Sequence, residues 1–200
     1  MRVITMEMKY FRPRGTNSAL NIALLAIMTS LATMVTLVLY IPYPVTNGYF
    51  NLGDTIVMLG GFILGPIGGF IVGGVGSALA DMIVAPIYAP ITLVVKGFEG
   101  MAVGYFCSKT LKTTRLGKWD ITGVLVGSLI MLVGYLIGEV LLWGFGAAIA
   151  ELIVVNLAQV TAGAIVALLV GPTIRTYLRT INYRNSDIVD NPPFDKLPDE

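Results

Sequence analysis

The chain contains no histidine and one cysteine, Cys107, in 200 residues. The first absence removes the commonest metal ligand and the usual general base near neutral pH. The second excludes an internal disulfide. Charge is scarce as well: Asp, Glu, Lys and Arg make up 12% of the residues, about half the share of an ordinary soluble domain. No G-x-x-x-x-G-K-[ST] loop is present to cradle ATP phosphates, and the glycines lie inside apolar runs rather than after a soluble strand. These deficits argue against a metal centre, histidine-dependent catalysis, a resident cofactor and a nucleic-acid partner.

What remains is apolar. Hydrophobic residues make up 56% of the chain and the mean hydropathy is +0.80, which is the composition of an integral membrane protein. Residues 1–18 form a basic head with Arg2, Lys9, Arg12 and Arg14. The uncharged run from Ala19 to Ile41 is long enough to cross a hydrocarbon layer of about 30 Å at about 1.5 Å per residue. Its length and its Tyr40-Ile41-Pro42-Tyr43-Pro44 ending mark a retained span rather than a cleaved signal. Further spans are predicted over 54–64, 70–85, 91–107, 121–143 and 148–170, with a broken polar loop at 42–51 and a turn at 65–69. The membrane domain is thus 19–181, and 182–200 is expected to be a disordered polar tail.

Lys and Arg resist translocation and accumulate in cytoplasmic segments. Arg2, Lys9, Arg12 and Arg14 precede span 1; Lys109, Lys112, Arg115 and Lys118 lie between spans 4 and 5; Arg175, Arg179, Arg184 and Lys196 follow span 6. With intramembrane Lys96 they account for all 13 basic residues. The architecture that keeps this partition is an all-α bundle of six transmembrane helices with both termini cytoplasmic.

That topology gathers the scattered polar residues at the outer end. Asn47, Tyr49, Asn51 and Asp54 fall between spans 1 and 2, and Asp81 and Tyr88 end span 3. Lys96 and Glu99 lie in span 4, Glu139 and Trp143 close span 5, and Glu151, Asn156 and Gln159 open span 6. The expected result is a polar cavity open outside and dry toward the cytoplasm. Intramembrane ionisable groups are costly, about 2.5–3.5 kcal/mol on insertion scales, and point to function. Lys96 and Glu99, three apart on one helix face, either neutralise each other alone or also line the site. Asn156 and Gln159 share that spacing and offer donors and acceptors to a planar heterocycle, or to a neighbouring helix. Tyr49, Phe50, Tyr88 and Trp143 either stack on a flat ring or mark the membrane interface.

Small residues recur at helical spacing. Ala19, Ala23, Ala26 and Ser30 form a ridge on span 1, suited to close packing on this protein's own helices or on a separate partner. Gly69, Gly73 and Ser77 form another, and Gly123/Gly127 and Gly134/Gly138 are GxxxG pairs.

In combination, six short spans, the span 1 ridge, Gly48-Tyr49-Phe50-Asn51-Leu52-Gly53-Asp54, the Leu64-Gly65-Pro66-x-Gly68-Gly69 turn, Gly76-Ser77-Ala78-Leu79-Ala80-Asp81, the Pro90–Gly100 segment containing Lys96 and Glu99, and Asn156-x-x-Gln159 resemble the substrate-binding S component of an energy-coupling factor (ECF) vitamin transporter. The subgroup most resembled includes members assigned to hydroxymethylpyrimidine and to vitamin B6. The resemblance implies a non-enzymatic subunit in a prokaryotic plasma membrane that captures a vitamin or precursor outside. It further implies partners, one transmembrane coupling protein and two ATPases, with docking through Ala19, Ala23 and Ala26 and with Ser30 on the same ridge. Asn47, Tyr49, Asn51, Asp54, Asp81, Tyr88, Lys96, Glu99, Glu139, Trp143, Asn156 and Gln159 are the candidate substrate-binding residues.

Other readings are an S component for riboflavin or another vitamin, and an autonomous secondary transporter or channel in which Lys96, Glu99 and Glu139 relay protons. An intramembrane serine hydrolase built on Ser77 would have only Lys96 as its base, which makes it a poor fit.

Overall fold

The computed structural model describes residues 18–110 and 115–190, with side chains over 21–110 and 115–177. The basic head, the side chain of Ala19, Lys112 and residues 191–200 lie outside the described residues.

Helix α1 spans Ser18–Val38. It ends three residues before the expected Ile41, because Ile41–Tyr43 (β1) pairs with Gly48–Phe50 (β2) in an antiparallel hairpin, with Ile41 opposite Phe50 and Tyr43 opposite Gly48. The segment expected to be a broken loop is therefore ordered. Its turn contains Asn47 at φ 54°, a left-handed conformation that Asn tolerates better than most residues.

Helix α2, Gly53–Phe70, runs through a π-helical turn, Ile71–Gly76, into α3, Ser77–Val84. Gly65 interrupts α2 at φ 77°, ψ −165°, immediately before Pro66. The chain folds back on itself there. A Cβ on Gly60 would touch Val72, and one on Gly73 would touch Val57, whereas in a straight helix residues 57 and 73 would stand about 24 Å apart. Helix α4, Ala89–Cys107, lies antiparallel to the returning arm and ends in a short 3-10 turn, Ser108–Thr110. Gly69 and Gly100 meet at the seam: a Cβ on either would run into the other's carbonyl oxygen, so only glycine permits this approach.

Helix α5, Lys118–Trp143, packs its GxxxG faces on α4, Gly127 against Val103 and Gly134 against Val95. After Gly144 at φ 85°, α6 (Phe145–Glu151), a second π turn (Leu152–Asn156) and α7 (Leu157–Asp190) form one continuous rod. Two ties, Asn156 to Glu139 and Arg175 to Asp120, hold it antiparallel to α5. The backbone of α7 stays helical through residues 182–190, part of the segment expected to be a disordered tail.

The described residues thus contain five continuous helical stretches rather than six separate helices. Expected spans 2 and 3 are joined because a single non-helical residue, Gly65, makes the reversal. Four stretches, Asn21–Val38, Gly53–Val84, Lys118–Trp143 and Phe145–Tyr177, are long and apolar enough to cross a membrane. The α4 helix, interrupted by Lys96 and Glu99, sits between the α2–α3 hairpin and α5.

Helix α1 turns Met28, Ala32 and Thr36 inward, and Thr33 Oγ1 donates to Gly76 O at 2.7 Å. Ala23, Ala26 and Ser30 are exposed on its other side with Ile22, Ile27 and Met34. Among the described residues, then, no part of this chain covers the ridge at Ala23, Ala26 and Ser30. Gly69 and Gly73 do approach α4, at Gly100 and Lys96, and Ser77 lines the recess together with Thr92 and Lys96 of α4. The π turn between Gly69 and Ser77 takes i→i+5 hydrogen bonds and shifts the helical phase.

Candidate functional site

A recess opens at the end of the bundle where the hairpin lies, with about 390 Å³ of empty space once the open solvent at its mouth is included. The hairpin forms one wall and is pinned from three directions. Tyr49 donates its hydroxyl to Asp81 Oδ1 of α3. Tyr88, in the turn before α4, donates to Thr46 O at 2.9 Å. Gln159 Oε1 of α7 accepts from Asn51 N at 3.0 Å. Residues distant in sequence thus close over one space because backbone polar groups in the hairpin need partners in an otherwise apolar setting.

Both tyrosines are held as neutral donors. Burial, then the adjacent Asp81 carboxylate, pushes the Tyr49 phenol far above its ordinary range; burial, then Glu151, does the same to Tyr88. Tyr88 also accepts from Trp143 Nε1 at 3.1 Å, and Glu151 Oε2 stands 3.4 Å from its hydroxyl.

Lys96 forms the floor. It is 3% exposed, ion-paired with Asp54, and 3.7 Å from Glu99 Oε2, and both of these carboxylates are fully buried. A buried ammonium and carboxylates recover their lost hydration only through such pairing. Beside them Thr92 and Tyr135 share a hydroxyl–hydroxyl hydrogen bond of 2.7 Å, and Asn156 Nδ2 donates to Glu139 Oε1 at 3.0 Å. The two π turns bear directly on this arrangement. One ends at Asn156, the other immediately before Ser77, and both residues face the cavity.

Of the residues singled out in the sequence, Tyr49, Asn51, Asp81, Tyr88, Lys96, Asn156 and Gln159 line the cavity together. Asp54, Glu99 and Glu139 do not line it; they stand behind Lys96 and Asn156 as partners. Trp143 is half-buried and reaches the site only through Tyr88. Asn47 is exposed at the hairpin turn, where its backbone conformation is its contribution. Lys96 and Glu99 do form a pair, shared with Asp54, whereas Glu139 joins Asn156 instead of continuing a Lys96–Glu99 chain.

Sequence reasoning did not assign Thr36, Thr92, Tyr135 and Glu151 to the site, yet all four line it. Glu151 carried the same signal as Glu139, a carboxylate in an apolar run. The three hydroxyls carried none, since such residues are common in membrane helices.

The opposite end is not dry. Arg175 Nη1 and Nη2 bind Asp120 Oδ1 and Oδ2 at 2.7 and 3.0 Å, and Asp120 Oδ2 also accepts from Gly117 N at 2.9 Å. Both residues are buried. Lys109 lies over the rings of Tyr105 and Trp119 at 4.5 Å from each centroid.

These features define a multi-pass helical membrane protein with a small recess lined by convergent polar groups. Residues 16–176 match the family model described as the S component of the ECF-type riboflavin transporter, and the chain belongs to that family of ECF-type S components. The family is one of transport subunits rather than enzymes. The match carries the riboflavin description, not the hydroxymethylpyrimidine and vitamin B6 subgroup that the motifs resemble. A Pyrococcus woesei protein described as an uncharacterized protein in gap 3′ region is 40% identical over 119 residues, 60% of this chain and 78% of that one. The crystal structure of the S component for biotin from an ECF-type ABC transporter superposes with a TM-score of 0.58 at 22% identity, over 81% of this chain and 92% of that chain, a likeness of fold.

Proposed function

We propose that this protein captures a small water-soluble vitamin or precursor in the cavity beneath the hairpin, from the outer face of a prokaryotic plasma membrane. The observation that carries the reading is the convergence of Tyr49, Asp81, Lys96, Asn156 and Gln159, from different helices and the hairpin, on one recess. Six crossings with both termini cytoplasmic, counting the two arms of the Gly65 hairpin separately, put this recess outside. Lys109, Arg115, Lys118 and Arg175 then lie inside, in accord with the charge rule. A hydroxymethylpyrimidine or a vitamin B6 form is the preferred ligand, because paired amides and hydroxyls suit the edge of a small nitrogen heterocycle. Riboflavin is the second reading, favoured by the description of the matching family model.

Delivery requires an ATPase-powered module of one transmembrane coupling protein and two ATPases, and ATP is hydrolysed there. The outward face of α1, with Ala23, Ala26 and Ser30, is the docking surface. It is apolar, studded with small residues and left uncovered by the described residues of this chain.

The test is the double variant Asn156→Leu/Gln159→Leu in detergent, titrated by calorimetry with pyridoxine, hydroxymethylpyrimidine and riboflavin. Binding of whichever ligand the wild type takes should fall at least about 100-fold, the loss of two hydrogen bonds at about 1.4 kcal/mol per decade. Unchanged affinity in a folded variant removes both amides from the site.

A further inference from the structure

The carboxylates and cations around this recess do not balance. Asp54 and Glu99 share Lys96, the one ammonium at this end of the bundle among the described residues. Asp81, Glu139 and Glu151 have no Lys or Arg within ion-pair distance among the described residues, yet all three are buried. Their partners are neutral donors: the Tyr49 hydroxyl for Asp81, the Asn156 amide for Glu139 and the Tyr88 hydroxyl beside Glu151. The first two donors point at a carboxylate oxygen, the arrangement that supports the ionised acceptor, whereas the Tyr88 hydroxyl gives its proton to Thr46 O and only stands 3.4 Å from Glu151 Oε2. Burying an ionised carboxylate without a countercharge is expensive, and hydrogen bonds from neutral groups offset only part of that penalty.

A second observation concerns hydroxyls rather than charge. Ser77 Oγ and Thr36 Oγ1 line the same recess, on residues 3% and 2% exposed, and neither has a hydrogen-bond partner. Buried polar atoms are nearly always satisfied in folded proteins, so two unsatisfied hydroxyls facing one cavity indicate a polar occupant.

We propose that the recess selects a ligand carrying a positive charge, an organic ammonium or a protonated ring nitrogen that meets Asp81 and Glu151, while Ser77 and Thr36 hydrogen-bond its polar substituents. This rests on the reading of the cavity as the vitamin site and specifies what the site accepts. A bare metal ion suits the arrangement poorly: among the described residues no three Asp, Glu, Cys or His side chains converge closely enough to hold one. A cation that brings its charge on an extended, hydrogen-bonding frame can reach Asp81, Glu151 and the Ser77 and Thr36 hydroxyls at once, since all four residues line the recess. The same imbalance disfavours an anionic ligand, because the one ammonium at this end among the described residues, Lys96, is already shared by Asp54 and Glu99.

Calorimetric titration of the detergent-solubilised full chain tests this with matched probes. Pyridoxamine and pyridoxine share a ring and differ by an aminomethyl in place of a hydroxymethyl group; thiamine adds a permanent cation, riboflavin a neutral flat ring and biotin a carboxylate. Pyridoxamine should bind at least tenfold more tightly than pyridoxine, and Asp81→Asn and Glu151→Gln should each shrink that ratio toward one. The wild-type ratio stands whether or not either variant folds. Equal or reversed affinities within the pair, tightest binding by riboflavin or biotin, or no binding by either cation would overturn the proposal. If riboflavin binds and Asn156→Leu/Gln159→Leu abolishes that binding, charge selection fails while the cavity remains the vitamin site.

Discussion

The two ends of the bundle bury the same kinds of charge and treat them differently. At the basic end Arg175 and Asp120 form a closed bidentate pair, whose carboxylate also caps the first turn of α5 through Gly117 N. At the hairpin end one ammonium serves two carboxylates, three more have only neutral donors, and two hydroxyls have no partner. The Asp120 carboxylate, satisfied from within, has nothing left to offer a ligand, although Arg175 Nε and Thr110 Oγ1 at that end also lack a hydrogen-bond partner. A site that is left unsatisfied holds binding capacity at the expense of stability, and this contrast separates a structural ion pair from a candidate binding site.

The contrast can be broken most forcefully at the closed end. Asp120→Asn or Arg175→Met leaves a buried charge without its partner and should lower stability by about 3–5 kcal/mol, read as thermal unfolding in detergent. The affinity of the folded fraction for ligand should not change. Replacing both partners, Asp120→Leu with Arg175→Met, should restore most of the loss, because no charge then remains to be buried.

At the open end the tyrosines sharpen the comparison through pH. Burial beside Asp81 and Glu151 raises both phenols above their ordinary value of 10.0, so the unfolded chain loses these protons first. Their contribution is therefore intact below pH 10 and is lost as the pH rises beyond it. The slope is about 1.4 kcal/mol per pH unit for each group. Tyr49→Phe/Tyr88→Phe should flatten the alkaline limb of the unfolding midpoint against pH; an unaltered limb would contradict the buried, carboxylate-facing placement.

The smallest stability effect is expected for Glu139→Gln. Its amide oxygen can still accept from Asn156 Nδ2, and no cation loses a partner, so unfolding should shift by less than about 1 kcal/mol. Chemically equivalent substitutions at the two ends should thus differ severalfold. A loss at Glu139 as large as that at Asp120 would mean that the open end is closed by a contact not recognised here.

Membrane character and the gathering of polar residues at one end were legible in the sequence, since both follow from composition and from where Lys and Arg can lie. Tyr49, Asp81, Lys96, Asn156 and Gln159 stood out as polar groups in apolar runs. The hairpin carried a readable signal that went unused: Asn47-Gly48 flanked by Ile41, Tyr43 and Tyr49 is a turn pattern. The count of helices failed for a local reason, the ability of Gly65 to reverse the chain in one residue. Ser77 was read as part of a packing ridge, and its spacing gave no sign that it would also line the recess. The Asp120–Arg175 tie joins residues 55 apart, one of them counted simply as a cytoplasmic charge. Nothing in the local sequence pairs them.

Helix α1 meets the recess at Thr36 and faces away from the bundle at Ala23, Ala26 and Ser30. The two surfaces lie on opposite sides of a single rod about 10 Å thick and are offset along it by about 9 Å at Ser30 and about 20 Å at Ala23. Both surfaces ride on one unbroken helix, so neither can shift as a rigid body without carrying the other.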